Sequence, residues 1–261
     1  MYKRQQLNVQ ERLEAALHHF ETPAFIAADP ISIPHRFTKK ADIEIAGLFA
    51  ATLAWGHRKM ILRNADRLLA GMDNAPHDFI LNHEEGDLKR FLDFAHRTFG
   101  PTDLLYFIHF LRHHYQNSPT LETAFTAGEL SYNDDTIERA LIQYREAFFA
   151  LPKAPARTGK HVPSPLRGSA CKRLCMFLRW MVRPAAGGVD FGIWNIIQPA
   201  QLVCPLDVHS SRVARQLGLL NREATDWKAA LELTAALREM CLKDPVKYDL
   251  ALFGMGVEGK L

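Results

Sequence analysis

Apolar residues recur every three to four positions along most of the chain, the spacing of helices that pack by one face. Leu13, Ala16, Leu17 and Phe20 predict a helix over 7–20. Residues 29–37 hold two prolines and no period, which predicts an irregular connection. From 38 to 72 the pattern is helical, apolar on most sides as far as Ala54 and polar after Gly56. That predicts a buried helix with a bend or break near Gly56. Two helical stretches fall within 77–117, the clearer over 102–115, with Leu104, Leu105, Phe107, Ile108 and Leu111. Ile137, Leu141, Tyr144 and Phe148 predict a helix over 136–151. The proline-rich stretch 151–165 has no period and reads as a mobile loop.

A helix follows over 170–182, with Leu174, Phe177, Leu178, Met181 and Val182 as its apolar face and Ala185–Gly187 and Gly188 after its end. Short helical pieces are expected at 190–197 and 199–203, then helices at 208–217, 226–242 and 245–253. No convincing alternation of apolar and polar residues predicts a strand. The expected fold is all-α, with two helical lobes and a DNA-binding cleft between them. Residues 41–188 form the central lobe, with a helical hairpin at 161–183; residues 1–40 and 189–261 form the other.

Composition narrows the class. With 261 residues, 48% of them hydrophobic, the chain can bury a sizeable core. It has no run of 18 apolar residues and begins with a charged stretch, so a cytoplasmic protein with no membrane contact is expected. The four cysteines, Cys171, Cys175, Cys204 and Cys241, do not make a disulfide framework at this length. Buried thiols are expected, with no metal bound.

Charge adds more. The net charge is only +3, but 151–183 holds eight of the 32 basic residues and no acid: Lys153, Arg157, Lys160, Arg167, Lys172, Arg173, Arg179 and Arg183. The rest of the chain is net acidic. A concentrated patch of this kind points to a phosphate-bearing partner; the competing reading is a solvated face. On a helical wheel Lys172, Arg179 and Arg183 fall within about 40°, which predicts one exposed cationic stripe.

Two segments resemble a known family. Gly168-Ser169-Ala170-Cys171-Lys172 has its Gly and Lys at the separation of the hairpin Leu-Pro-Gly-hydrophobic-Gly-x-Lys. Leu206-Asp207-Val208-His209-Ser210-Ser211-Arg212-Val213 is similar to Val-Asp-Thr-His-x-x-Arg-Val. Both motifs belong to the helix-hairpin-helix-GPD superfamily of base-excision DNA glycosylases. Fainter likenesses cover 48–58 and 247–254, and the archaeal 8-oxoguanine glycosylases are the branch most similar in feel. The chain departs from the pattern at Ala170, where the family has its second Gly, and at Pro165, which is not next to Gly168. The interval from Lys172 to Asp207 is longer than in endonuclease III, and the family's four-cysteine cluster motif is absent, so no iron–sulfur cluster is expected.

The resemblance implies a monomeric, nucleoid-associated repair enzyme, without cofactor, that removes a damaged base, an oxidised purine for example, from double-stranded DNA. It implies Lys172 as the amine nucleophile, with associated abasic-site lyase activity, and Asp207 as its electrostatic and proton-transfer partner. The chemistry also stands on its own terms. A carboxylate stabilises an oxocarbenium-like state, and a nearby amine can attack C1′ to form a Schiff base. Arg167, Gly168, Ser169, Arg173, Arg179, Arg183 and Arg212 are the expected DNA contacts. Trp55, His57, Arg58 and His209 are candidates for a base pocket, with core packing or structural hydrogen bonding as the competing reading. Asp207 also suits a helix N-cap, and Lys172 a plain surface cation. A non-catalytic helix-hairpin-helix DNA-binding protein remains the alternative. A metal-dependent hydrolase is the weaker third option, since no His pair stands at ligand spacing.

Overall fold

The computed structural model describes residues 2–126 and 134–259, with the side chains of 2–7 left aside. It is mostly helical, and there is no named strand among the described residues. Among the described residues twelve α-helices follow in order: α1 (Tyr2–Phe20), α2 (Pro23–Ile26), α3 (Lys40–Leu53), α4 (Arg58–Ala70), α5 (Pro76–Asn82) and α6 (Pro101–Asn117), then α7 (Glu122–Thr126), α8 (Glu138–Phe149), α9 (Lys172–Val182), α10 (Val208–Gln216), α11 (Trp227–Met240) and α12 (Asp249–Glu258).

The chain divides into two compact units. Unit 1 joins Met1–Ala27, Ser131–Glu138 and Ser164–Leu261; unit 2 joins Ala28–Leu130 and Arg139–Pro163. This differs from the expected lobes, because α9 belongs with the C-terminal helices and not with residues 41–163. The reason lies in its packing. Phe177 meets the Trp194 ring edge-on at 5.4 Å, and the N–H groups of Phe191 and Ile193 each donate 2.8 Å bonds to the Trp180 and Met181 carbonyls. The 190–197 stretch is therefore irregular chain bound to the end of α9, not the expected helical piece. The next piece is a single 3-10 turn, Pro199–Gln201.

In unit 1, α12 packs against both α1 and α10. The approach to α1 is close: a Cβ on Gly254 would lie 2.4 Å from the Phe20 ring. Any larger residue there would push the two helices apart. Leu13, Leu17, Leu250, Leu252, Val213 and Ala214 are buried on these helices.

In unit 2, the expected long helix over 38–72 is two helices, α3 and α4, broken at Gly56 with φ +102. Every residue of α3 from Asp42 to Leu53 is buried, as its unbroken apolar pattern requires. Its one buried glutamate, Glu44, is saturated: it accepts from Tyr115 Oη at 2.8 Å, the Leu121 N–H at 3.0 Å and Thr120 Oγ1 at 2.5 Å. A ladder of rings from Phe99 through Phe107, Phe148, Phe110, Tyr144 and Phe125 joins α6, α7 and α8.

The 151–165 segment is not the loose loop its composition predicts. Its 3-10 turn Ala156–Lys160 buries Thr158, whose Oγ1 donates to Asp103 Oδ1 at 2.7 Å. His161 is buried against the Phe99 and Trp55 rings, and Arg145 donates to the Gly159 and Val162 carbonyls.

Candidate functional site

Residues 202–206 run buried through unit 1 and deliver Asp207 to the surface, where it becomes the N-cap of α10. Oδ1 accepts from the N–H groups of His209 and Ser210 at 2.8 and 2.9 Å. The Ser210 hydroxyl accepts from the Asp207 N–H at 2.9 Å, which closes a capping box. The second oxygen, Oδ2, lies 3.7 Å from Lys172 Nζ. The side chains are 29% and 21% exposed for Lys172 and Asp207, so a ligand can reach both. The sequence expectation set them on opposite lobes; both belong to unit 1.

Lys172 is the first residue of α9, and the turn before it is well held. Cys171 has φ +49 and its N–H donates to Ser169 Oγ at 3.2 Å. The Trp227 N–H donates to the Gly168 carbonyl at 3.2 Å, and Ser169 bridges to Asp226. The left-handed residues are Gly168, at φ +72, and Cys171; Ala170, at the family's second glycine, is not left-handed. The arm ahead of the turn is only a 3-10 turn, Pro165–Arg167.

Behind the pair the expected cationic stripe turns inward. Arg179 and Arg183, read as exposed DNA contacts, are each 4% exposed. Arg179 donates to Asp190 at 3.3 Å and to Asp249 at 2.5 Å. Arg183 donates to Asp190 at 2.6 Å, to both oxygens of Asp244 at 3.1 and 3.0 Å, and to Glu21 at 3.0 Å. Burial works against the Arg183 charge, but Asp190, Asp244 and Glu21 outweigh it and hold the guanidinium above its usual range. A wheel places these cations on one side of α9 correctly. It cannot see that acids distant in sequence cover that side.

Asp249 was not legible as part of the site. It is buried at the start of α12, and burial pushes its carboxyl up while the Arg179 guanidinium pulls it down. Asp207 and Lys172 act on it with opposite signs. The Cys204 thiol, three residues before Asp207, donates to Asp249 at 3.9 Å. Asp249 therefore ties the helix that carries Lys172, through Arg179, to the segment that carries Asp207, through Cys204. Burial pushes the Cys175 and Cys204 thiols far up, with Cys171 and Asp249 adding to the effect on Cys175, and Asp249 and Cys175 to that on Cys204.

Of the remaining expected contacts, Arg167 and Gly168 are exposed and Ser169 is half-buried. Arg173 is half-buried, and burial pushes its guanidinium down to about 10. Arg212 is exposed but donates to the Gly256 carbonyl at 2.6 Å, which fixes α10 to α12. His209 is exposed, its ring 6.1 Å from that of Phe253. Trp55, His57 and Arg58 lie in unit 2 at the α3–α4 break. Trp55 is half-buried, edge-on to His96 at 4.8 Å, while His57 and Arg58 are exposed. Among the described residues no group of three His, Cys, Asp or Glu side chains is placed to hold a metal ion. No described helix is long and apolar enough to cross a membrane.

A family model described as a protein of unknown function, DUF2400, matches the chain over residues 29–258. No curated protein and no solved structure matches the chain.

Proposed function

The chain belongs to the DUF2400 family, and we propose that it is a DNA repair glycosylase that removes a damaged base from duplex DNA and then cleaves the abasic site. An oxidised purine is the first lesion to test. The observation that supports this most is the division of labour in one carboxylate: Asp207 Oδ1 is spent on the helix cap, and Oδ2 faces Lys172 Nζ at 3.7 Å.

In this reading the target nucleotide is extruded from the duplex, at a cost of a few kcal/mol. Lys172 Nζ, having passed a proton to Asp207 Oδ2, attacks C1′. The bond from C1′ to the base breaks, and the base leaves with the electron pair and takes up the proton that Asp207 Oδ2 had received. The Asp207 carboxylate so restored stabilises the positive charge that builds on the sugar. The sugar ring opens to an iminium on Lys172. Loss of a C2′ proton then expels the 3′ phosphate, and water releases the amine. Arg167, exposed on the turn, and the N–H groups of the first turn of α9 are the donors this reading assigns to a backbone phosphate.

The reading is tested by borohydride trapping on a panel of duplexes, each with one lesion. Hydride reduces the iminium to a stable amine, so a covalent adduct that needs Lys172 is the expected result. Tight binding with no adduct and no base release on any lesion would overturn it in favour of a non-catalytic DNA-binding protein. That second reading has one structural point in its favour, the short 3-10 arm in place of a full first hairpin helix.

A further inference from the structure

Unit 2 carries cations that its own acids do not neutralise. Arg36 pairs with Asp66, Arg67 with Asp93, Arg90 with Asp73 and Asp87, and Arg157 with Asp103. Lys59, Arg63 and Arg97 have no carboxylate partner among the described residues, and all three are exposed. They are also gathered in one place. Lys59 and Arg63 are one turn apart on the same face of α4, roughly 6 Å along its axis. Arg97 lies over the α3–α4 break: a Cβ on Gly56 would meet its Nη1 at 2.8 Å and its Cδ at 3.1 Å. Only glycine combines this contact with the left-handed φ of +102. The break thus seats a guanidinium two residues before the helix whose first turn carries Lys59.

The surrounding sequence keeps the patch positive. There is no Asp or Glu from 45 to 65, and exposed His57 and Arg58 lie between Gly56 and Lys59. Two exposed cations one turn apart on α4, with a third over the break before that helix, form a field that suits a densely charged polyanion.

We propose that Lys59, Arg63 and Arg97 form a phosphate-binding face for the backbone of duplex DNA, separate from the turn before Lys172. The proposal rests on the DNA-binding part of the function above and not on its lyase chemistry. The face, one ammonium and two guanidiniums on exposed side chains, is assigned to phosphates, contacts that position a duplex and carry no sequence information.

The test is the salt dependence of binding to an undamaged duplex. Each phosphate contact contributes about 0.9 to the slope of log affinity against log salt. The triple variant Lys59→Gln, Arg63→Gln, Arg97→Gln should therefore lower the slope by about 2–3. Arg36→Gln with Arg67→Gln, which removes an equal kind of charge from paired sites, should leave the slope within one unit. The double variant Lys59→Gln, Arg63→Gln touches only exposed side chains, so a slope drop of about 2 there excludes misfolding as the cause. An unchanged slope in both variants overturns the proposal while leaving the glycosylase reading intact. Failure of the wild-type protein to bind any duplex overturns both.

Discussion

Lys172 and Asp207 stand 35 positions apart and meet at 3.7 Å, with the Asp207 carboxylate oriented by the helix it caps. The cap uses Oδ1 and leaves Oδ2 toward Lys172, so the proposed catalytic role does not compete with capping. The two roles separate by substitution. Asp207→Asn keeps a good N-cap, so its melting temperature should stay close to wild type. Base release should nevertheless slow by about 10²–10⁴. Asp207→Ala should lose both, with a stability cost of about 1 kcal/mol. If Asp207→Asn releases base at the wild-type rate, the carboxylate is a cap and nothing more. Lys172→Ala should give no borohydride adduct while binding persists.

Arg183 is a structural residue and not a DNA contact. It sits 4% exposed among three carboxylates, so removing it strands those charges. Arg183→Ala should cost roughly 3–5 kcal/mol in urea unfolding. Arg167→Ala, on an exposed turn, should stay within about 0.5 kcal/mol of wild type. Equal and small effects at both positions would restore the exposed stripe.

Asp226 makes part of the stability pH-dependent. The Arg222 side chain first, then the Ala229 N–H, hold its carboxyl well below the usual range. A carboxyl depressed in the folded state stabilises fully above its unfolded value, near 3.9, and the contribution is lost as pH falls toward the folded value. Melting temperatures of wild type and Asp226→Asn should therefore differ at pH 6 and converge between pH 4 and pH 2. The group is on the surface, so the difference should also shrink in high salt. A constant gap across that range would contradict the assignment.

The thiols should sort by depth. Cys171, Cys175 and Cys204 are buried, and Cys241 is half-buried. Burial also pushes the Cys175 and Cys204 thiols away from the reactive thiolate. Iodoacetamide on the native protein at pH 8 should modify Cys241 first by peptide mass spectrometry, and the other three only after denaturation. Early labelling of Cys175 or Cys204 would mean that the core of unit 1 opens readily.

Local patterns carried the helices, and long-range pairing was where they failed. The break at Gly56, the helix opened by Asp207 and the apolar face of α9 were all legible, because each depends on residues a few positions apart. Arg179 and Arg183 were placed on the correct side of α9 and assigned to the wrong environment. Their partners Glu21, Asp190, Asp244 and Asp249 lie up to 162 positions away, and no periodicity records such a meeting. The 190–197 stretch failed for a related reason: its hydrogen bonds go to the end of α9 and not to itself. The 151–165 segment has the composition of a loose loop, yet Thr158, His161 and Arg145 anchor it through contacts that composition does not encode.

The docking of α1 on α12 sets an order of events during synthesis. Unit 2 draws on residues 28–130 and 139–163 and has all its segments once the ribosome has passed them, whereas unit 1 joins residues before 28 to residues after 163. The surface of α1 around Phe20, against which Gly254 fits, is made first and matched last. Until α12 emerges, about 230 residues later at roughly 5–20 residues per second, that apolar face has no native partner. The nascent chain thus carries an exposed adhesive helix for some ten seconds or more, and a stop codon just ahead of α12 would leave it so permanently.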